Sequence, residues 1–211
     1  VLYFANPCNS KGVLEAMRIH ELGYIDTPMQ SLWNRRPPGV IWCADNGCFG
    51  SGWPGEDAWL EWLGRNRQDA ASCAFATAPD VVGQAEATLE RSRPMLPLIR
   101  ALGYPAALVA QDGLEDLPVP WAEFDALFIG GSTDWKLGPA ARALGCEALD
   151  RGKRLHMGRV NSGKRFRYAR ALGCDSADGT FLTFGPDQNL QRMRAWSDHQ
   201  WPKRPRERKQ G

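Results

Sequence analysis

The sequence is short of the residues that build metal centres. Its 211 residues contain three histidines, His20, His156 and His199, and no His-x-His pair. Its six cysteines, at positions 8, 43, 48, 73, 146 and 174, form no Cys-x-x-Cys and no zinc-like set with those histidines. Neither a metal nor a disulfide framework is expected. Cys43, Cys73 and Cys174 lie in apolar strand-like runs, the pattern of reduced, buried thiols. No apolar run approaches about 18 residues, so no membrane helix is expected. No signal-like segment opens the chain, and Val1 is expected to follow a trimmed initiator Met in a soluble cytoplasmic protein. GxGxxG, the P-loop and any fixed-period repeat are also missing, which removes the usual nucleotide folds and solenoids and leaves no cofactor expected. Net charge is only +2. It is unevenly placed, because the tail WPKRPRERKQG sets Lys203, Arg204, Arg206, Arg208 and Lys209 against Glu207 alone. Such a tail reads either as a solvated extension or as an accessory phosphate-binding arm.

What is present is a full core and a regular alternation. The apolar fraction of 43% is enough to fold most of the chain. Strand-like runs at VLYFANP, GVIWCADNG, CAFATAPDV, AALVAQDG, DALFIGGS, RLHMGRV and CDSADG alternate with helical patterns. The first helical run, GVLEAMRIHELG, is expected to end at Gly23, and QAEATLERSRPMLPLIRALG to break near Pro94. Trp59 and Trp62 read as packing residues of the helix in DAWLEWLGRNRQDAA. Runs apolar on both faces between helices indicate a parallel sheet covered by helices. Seven or so such units favour an α/β fold of the (β/α)8 TIM-barrel type, compact or slightly reduced. Residues 1–200 are expected to form one catalytic barrel and 201–211 a basic tail.

In such a barrel the strand C-termini share one mouth. Asp45-Asn46-Gly47, Pro79-Asp80, Gln111-Asp112-Gly113, Gly130-Gly131-Ser132, His156-Met157-Gly158 and Asp175 to Gly179 all fall there. Any one Asp or Gly after a strand is an ordinary turn former. Their recurrence on one rim points to a site. Paired carboxylates suit covalent glycosyl chemistry, one attacking an anomeric carbon and the other handling the proton. Gln and Asp can read a purine edge, and glycines let a flat ring approach.

These residues resemble the tRNA-guanine transglycosylases, over about residues 22–185. LGYIDTP resembles that family's opening G-x-x-x-TP, DNGCF its D-S-G-G-F, APD its base-recognising Asp, VAQDG its V-Q-G-G, FIGGS its I-G-G turn, HMGRV its M-G segment and GCDSADG its G-x-D-x-x-D. The resemblance implies Asp178 as nucleophile and Asp45 as general acid/base. Asp80, Gln111, Gly130, Gly131, Met157, Gly158 and Phe49 would bind the base. Asn46, Cys48 and Asp112 depart from the pattern, and the family's three-Cys-plus-His zinc site has no counterpart after Cys174. A short, zinc-free chain is similar to the phage-type branch that places 7-deazaguanines into DNA. That implies exchange of guanine in DNA for a free base such as 7-cyano-7-deazaguanine, with tRNA as the alternative polymer. It also implies a host-cell cytoplasmic setting if the protein is viral, and admits a homodimer.

Arg159, Lys164, Arg165 and Arg167 read either as a solvated face or as a phosphate track. His156 reads as a satisfied core residue before a ligand. Two rival readings stay open: a metal-dependent barrel hydrolase using Asp45, His156 and Asp178, and a non-catalytic nucleic-acid-binding barrel.

Overall fold

The computed structural model describes residues 1–198, and the basic segment 201–211 lies outside them. Eight parallel strands close into a barrel in chain order. They are β1 (Leu2–Ala5), β2 (Leu22–Asp26), β3 (Trp42–Ala44), β4 (Cys73–Thr77), β5 (Ala106–Ala110), β6 (Ala126–Ile129), β7 (Arg154–Met157) and β8 (Ser176–Gly179). The helices between and after them are α1 (Lys11–Arg18), α2 (Pro28–Ser31), α3 (Glu56–Arg65), α4 (Ala85–Ser92), α5 (Met95–Ala101), α6 (Thr133–Lys136), α7 (Pro139–Asp150), α8 (Gly163–Leu172) and α9 (Pro186–Asp198). The expected (β/α)8 architecture is therefore present, in complete rather than reduced form.

Local chemistry sets the element ends. Ser10, Thr27, Ser132 and Ser162 cap α1, α2, α6 and α8 through their hydroxyls. Gly173, at φ +94, ends α8 in the left-handed conformation. Pro94 separates α4 from α5, as expected of a residue that cannot continue the α4 hydrogen bonding.

One expectation is corrected. The first helix does not run to Gly23: α1 stops at Arg18, and Gly23 lies inside β2. A Cβ on Gly23 would sit 2.3 Å from the Phe4 ring, so the glycine serves the close approach of β1 and β2. Gly23→Ala is expected to cost about 1–3 kcal/mol, read by urea denaturation, because the Phe4 ring has no room to retreat.

Two apolar layers fill the molecule. Phe4, Ile25, Cys43, Phe75, Ala107, Val109, Ala126 and Phe128 form the inside of the barrel. Tyr3, Ala5, Trp42, Leu108, Leu127, Leu155 and Met157 face the helices, where they join side chains such as Met17, Trp59, Trp62 and Leu144. Trp59 and Trp62 stack at 5.3 Å and 11°, the packing role read from the sequence. Paired residues of parallel strands share a face, so register carries the inside layer onward. Phe128 pairs with His156, His156 with Ser176, and Phe4 with Asp178. The barrel interior is thus apolar on one side and polar on the β7–β8 side.

Candidate active site

His156 and Asp178 meet inside the barrel. His156 Nε2 lies 2.8 Å from Asp178 Oδ1, and its Nδ1 lies 2.8 Å from Ser176 Oγ. Both ring nitrogens are engaged, while Phe128, Phe75 and Phe4 surround the imidazole at centroid distances of 4.4, 4.9 and 5.9 Å. The sequence expectation that His156 is a satisfied core residue holds, with one addition: its partner is the expected nucleophile. The Asp178 side chain is 13% exposed at the floor of the mouth. The Arg159 backbone N–H lies 3.5 Å from its Oδ2.

Asp45 enters the same mouth from the end of β3. Its Oδ1 accepts a hydrogen bond from Gly47 N–H at 2.7 Å, closing an Asp-initiated turn. Burial raises its pKa to about 7, the Gly47 N–H opposes the shift, and the nearby charges of Asp178 and Asp80 add to it. The residue as a whole is half-buried. Near neutrality its carboxyl is divided between acid and base forms.

Asp80 and Gln111 are brought together as expected, but chiefly with one another. Gln111 Nε2 donates to Asp80 Oδ2 at 2.6 Å, while Gln111 Oε1 accepts from Gly83 and Gly131 N–H at 2.9 and 3.0 Å. Asn46, a departure from the transglycosylase pattern, braces this pair. Its Nδ2 donates to Asp80 Oδ1 at 3.0 Å and to the Ala78 carbonyl at 2.8 Å, and its backbone N–H donates to Thr77 Oγ1 at 2.9 Å. Burial raises the Asp80 pKa against the lowering effect of these amides.

The glycines have packing reasons. A Cβ on Gly130 would meet Val109 at 2.8 Å, one on Gly131 the Trp135 ring at 2.4 Å, and one on Gly158 the Phe128 ring at 2.6 Å. Met157 is a correction. It is fully buried in the layer between sheet and helices, so it cannot stack on a base in the mouth. Strand alternation turns His156 inward and Met157 outward.

Arg159 closes over the mouth. It holds φ +57, uncommon for a residue with a side chain. Its Nη2 donates to the Gly131 carbonyl and lies 3.4 Å from that of Gly130, and its guanidinium sits 4.6 Å from the Phe49 ring. Arg165 donates to the Arg159 carbonyl at 3.4 Å, whereas Lys164 and Arg167 are exposed, three residues apart on α8.

One charged residue escaped the sequence reading. Lys136 is buried, its Nζ donating to the Gly158 carbonyl at 2.7 Å. Burial pushes its ammonium down to about 8, Arg159 and Arg165 lower it further, and Asp178 opposes them. Its position in DWKLG, at the end of α6, carries no signal of burial, because a lysine is ordinarily solvated. Among the described residues, no group of three or more His, Cys, Asp or Glu is arranged to hold a metal ion, and no helix is long and apolar enough to cross a membrane.

No protein-family profile and no curated protein matches the chain. Solved structures do. Dihydrodipicolinate synthase from Bacillus clausii superposes with a TM-score of 0.56 at 12% identity, covering 93% of this chain and 74% of that one. The structure described as "Native KDPGal structure" superposes with a TM-score of 0.53 at 11% identity, covering 93% and 94%. Likeness at such identities concerns the path of the backbone, and it places this chain among the (β/α)8 barrels.

Proposed function

We propose that the protein is a guanine transglycosylase that exchanges guanine in DNA for a free 7-deazaguanine through a covalent aspartyl-glycosyl intermediate. The observation that carries the reading is the pair of carboxylates in one barrel mouth, Asp178 beside His156 and Asp45 titrating near neutrality. Two carboxyl groups in unlike environments are what nucleophile and acid/base roles require.

The target nucleotide first leaves the stack, since C1′ is shielded inside a duplex. An Asp178 oxygen forms a bond to C1′ as the C1′–N9 bond breaks. The electron pair leaves with guanine, which takes the Asp45 proton. The incoming 7-deazaguanine gives its N9 proton to Asp45, and N9 displaces Asp178 from C1′. Asp80 and Gln111, bonded to one another and braced by Asn46, would have to turn part of this buried network toward the base to supply its polar edge. Phe49 and Arg159 form the upper wall.

His156 positions Asp178 in this scheme. His156→Ala is expected to lower kcat about a hundredfold with little change in KM, because a misaimed nucleophile loses attack geometry rather than binding. An equal rise in KM at constant kcat would remove this role.

The direct test is incubation with labelled guanine and with 7-cyano-7-deazaguanine, on DNA and tRNA in parallel, followed by nucleoside mass spectrometry. Incorporation into DNA supports the proposal, and incorporation into tRNA alone moves it to the alternative polymer. Binding without exchange on either would leave a nucleic-acid-binding barrel.

A second reading is favoured by Lys136. A desolvated amine is the group that forms Schiff bases with carbonyl substrates, although here it is buried and donates to the Gly158 carbonyl. Borohydride trapping of a small carbonyl compound on Lys136, located by peptide mass spectrometry, would support that chemistry over glycosyl transfer.

A further inference from the structure

Large apolar side chains are exposed unevenly. Met29, Leu32, Trp33, Phe49, Val82 and Phe184 all stand in solvent, Trp33 at 84% and Phe184 at 76% exposure. Each lies in a segment that follows the C-terminal end of a strand: β2, β3, β4 or β8. With β1, these are consecutive strands of the barrel, so the six residues belong to neighbouring segments that leave its C-terminal end. Among the described residues, the segments after β5, β6 and β7 expose no large apolar side chain.

Charge divides along the same line. Beyond Asp45 and Asp80 at the ends of β3 and β4, segments 6–10, 27–39, 46–55, 81–84 and 180–185 add no Asp or Glu, with Asp187 at the start of α9 accepting from Ser10 Oγ. The segments after β5 and β6, by contrast, contain Asp112, Glu115, Asp116, Glu123, Asp125 and Asp134. Of the cations in the former segments, Arg36 is paired with Asp26 and Asp69, while Arg35 is exposed. Lys164 and Arg167 are exposed on α8, the helix that leads into β8. After β8, Thr180 N–H donates to Asn161 Oδ1 at 2.7 Å, and Trp196 packs on Phe181 and Phe166 at 4.4 and 6.0 Å, joining the Phe184 loop to α8.

The loop bases are fixed while the rings project. Asn6 Nδ2 donates to the Gly179 carbonyl and Gln30 Nε2 to Asn6 Oδ1, each at 3.1 Å, and Trp33 N–H donates to the Gln30 carbonyl at 3.1 Å. Asn189 Nδ2 donates to the carbonyls of Phe181 and Phe184. Rigidly mounted aromatic faces with few exposed carboxylates, flanked by cations, are the composition of a single-strand nucleic-acid track.

We propose that the arc from β8 round to β4 is a stacking track for single-stranded DNA, with Trp33, Phe49 and Phe184 taking base faces and Lys164 and Arg167 the phosphates. The choice of DNA rests on the base-exchange reading. The track adds that the target guanine arrives from an unpaired strand. Sequence-tolerant stacking then holds its neighbours while one base enters the mouth.

The test uses fluorescence anisotropy of labelled oligo(dT), which contains no guanine and so reports the track apart from exchange. Oligo(rU) and a duplex of equal length form the parallel arms, all with the full chain. Oligo(dT) is expected to bind more tightly than either. Trp33→Ala and Phe184→Ala should each weaken it about tenfold, Trp33→Phe should restore most of the loss, and Lys164→Gln should lower the salt slope by about one. Their exposure makes the ring substitutions harmless to folding, which matching melting curves would verify. Preference for the duplex or for oligo(rU), or affinity untouched by Trp33→Ala, overturns the proposal. So does sedimentation showing a homodimer that Trp33→Ala dissociates, since the arc would then be a subunit contact. Ring-dependent oligo(dT) binding without base exchange would leave the track standing and remove the transglycosylase reading instead.

Discussion

Asp178→Asn is expected to abolish base exchange, by at least about 10⁴-fold, and to eliminate the covalent enzyme–DNA adduct trapped on denaturing gels. The amide is nearly isosteric with the carboxyl and can still engage His156 Nε2, now 2.8 Å from Oδ1. The surrounding ring packing of Phe4, Phe75 and Phe128 is left alone. Loss of activity with a melting temperature close to that of the wild type would therefore report chemistry. Asp178→Ala is the harsher form, because it strands the buried imidazole without its partner. Exchange retained by the Asn variant would take Asp178 out of the mechanism, and with it the glycosyl intermediate.

Asp45→Asn should lower exchange about 10²–10⁴-fold, the usual span for a lost general acid/base. Its pH signature distinguishes this role from a structural one. Burial lifts the Asp45 pKa from 3.8 to about 7. Adduct formation, which needs the protonated form, should fall as pH rises through about 7 in single-turnover measurements. Resolution of the adduct by the incoming base needs the ionised form and should fall below that pH. Overall exchange should then be bell-shaped near neutrality, and Asp45→Asn should flatten both limbs.

Stability follows the same shift with a definite sign. The folded state keeps a proton on Asp45 that the unfolded chain releases near pH 3.8. This contribution is fully present below that pH, declines as pH rises, and is lost above about 7. Asp26, raised to about 6 by burial against the opposing Arg36, acts in the same direction over a narrower range. Asp45→Asn should accordingly melt above the wild type at pH 8, with the difference shrinking toward pH 5. An unchanged difference across that range would place the Asp45 pKa near its ordinary value.

The strands and helices were largely legible because burial on both sheet faces gives apolar runs, and Pro94 marks a break by backbone chemistry alone. β2 was not. Leu22–Asp26 follows α1 after three residues, and Gly23 reads as a helix terminator unless Phe4 is known to lie against it. The strand-end rule likewise brought Asp45, Asp80, Gln111 and Asp178 to one mouth, since a parallel barrel sends every strand end to the same side.

Which neighbour faces inward was beyond the sequence. In RLHMG, a run apolar on both faces carries no parity, so Met157 and His156 could exchange roles on paper. The register of β6, β7 and β8 turns His156 toward Asp178 and Met157 toward the helices. The same holds for Asn46 bracing Asp80, for Lys136 beneath Gly158, and for Arg159 reaching across to Phe49. By itself the sequence determined the alternating elements and the chemistry available at their ends, because local periodicity and residue type act over a few positions. The tertiary structure alone decided orientation, pairing and burial, because those depend on residues that meet only when the barrel closes.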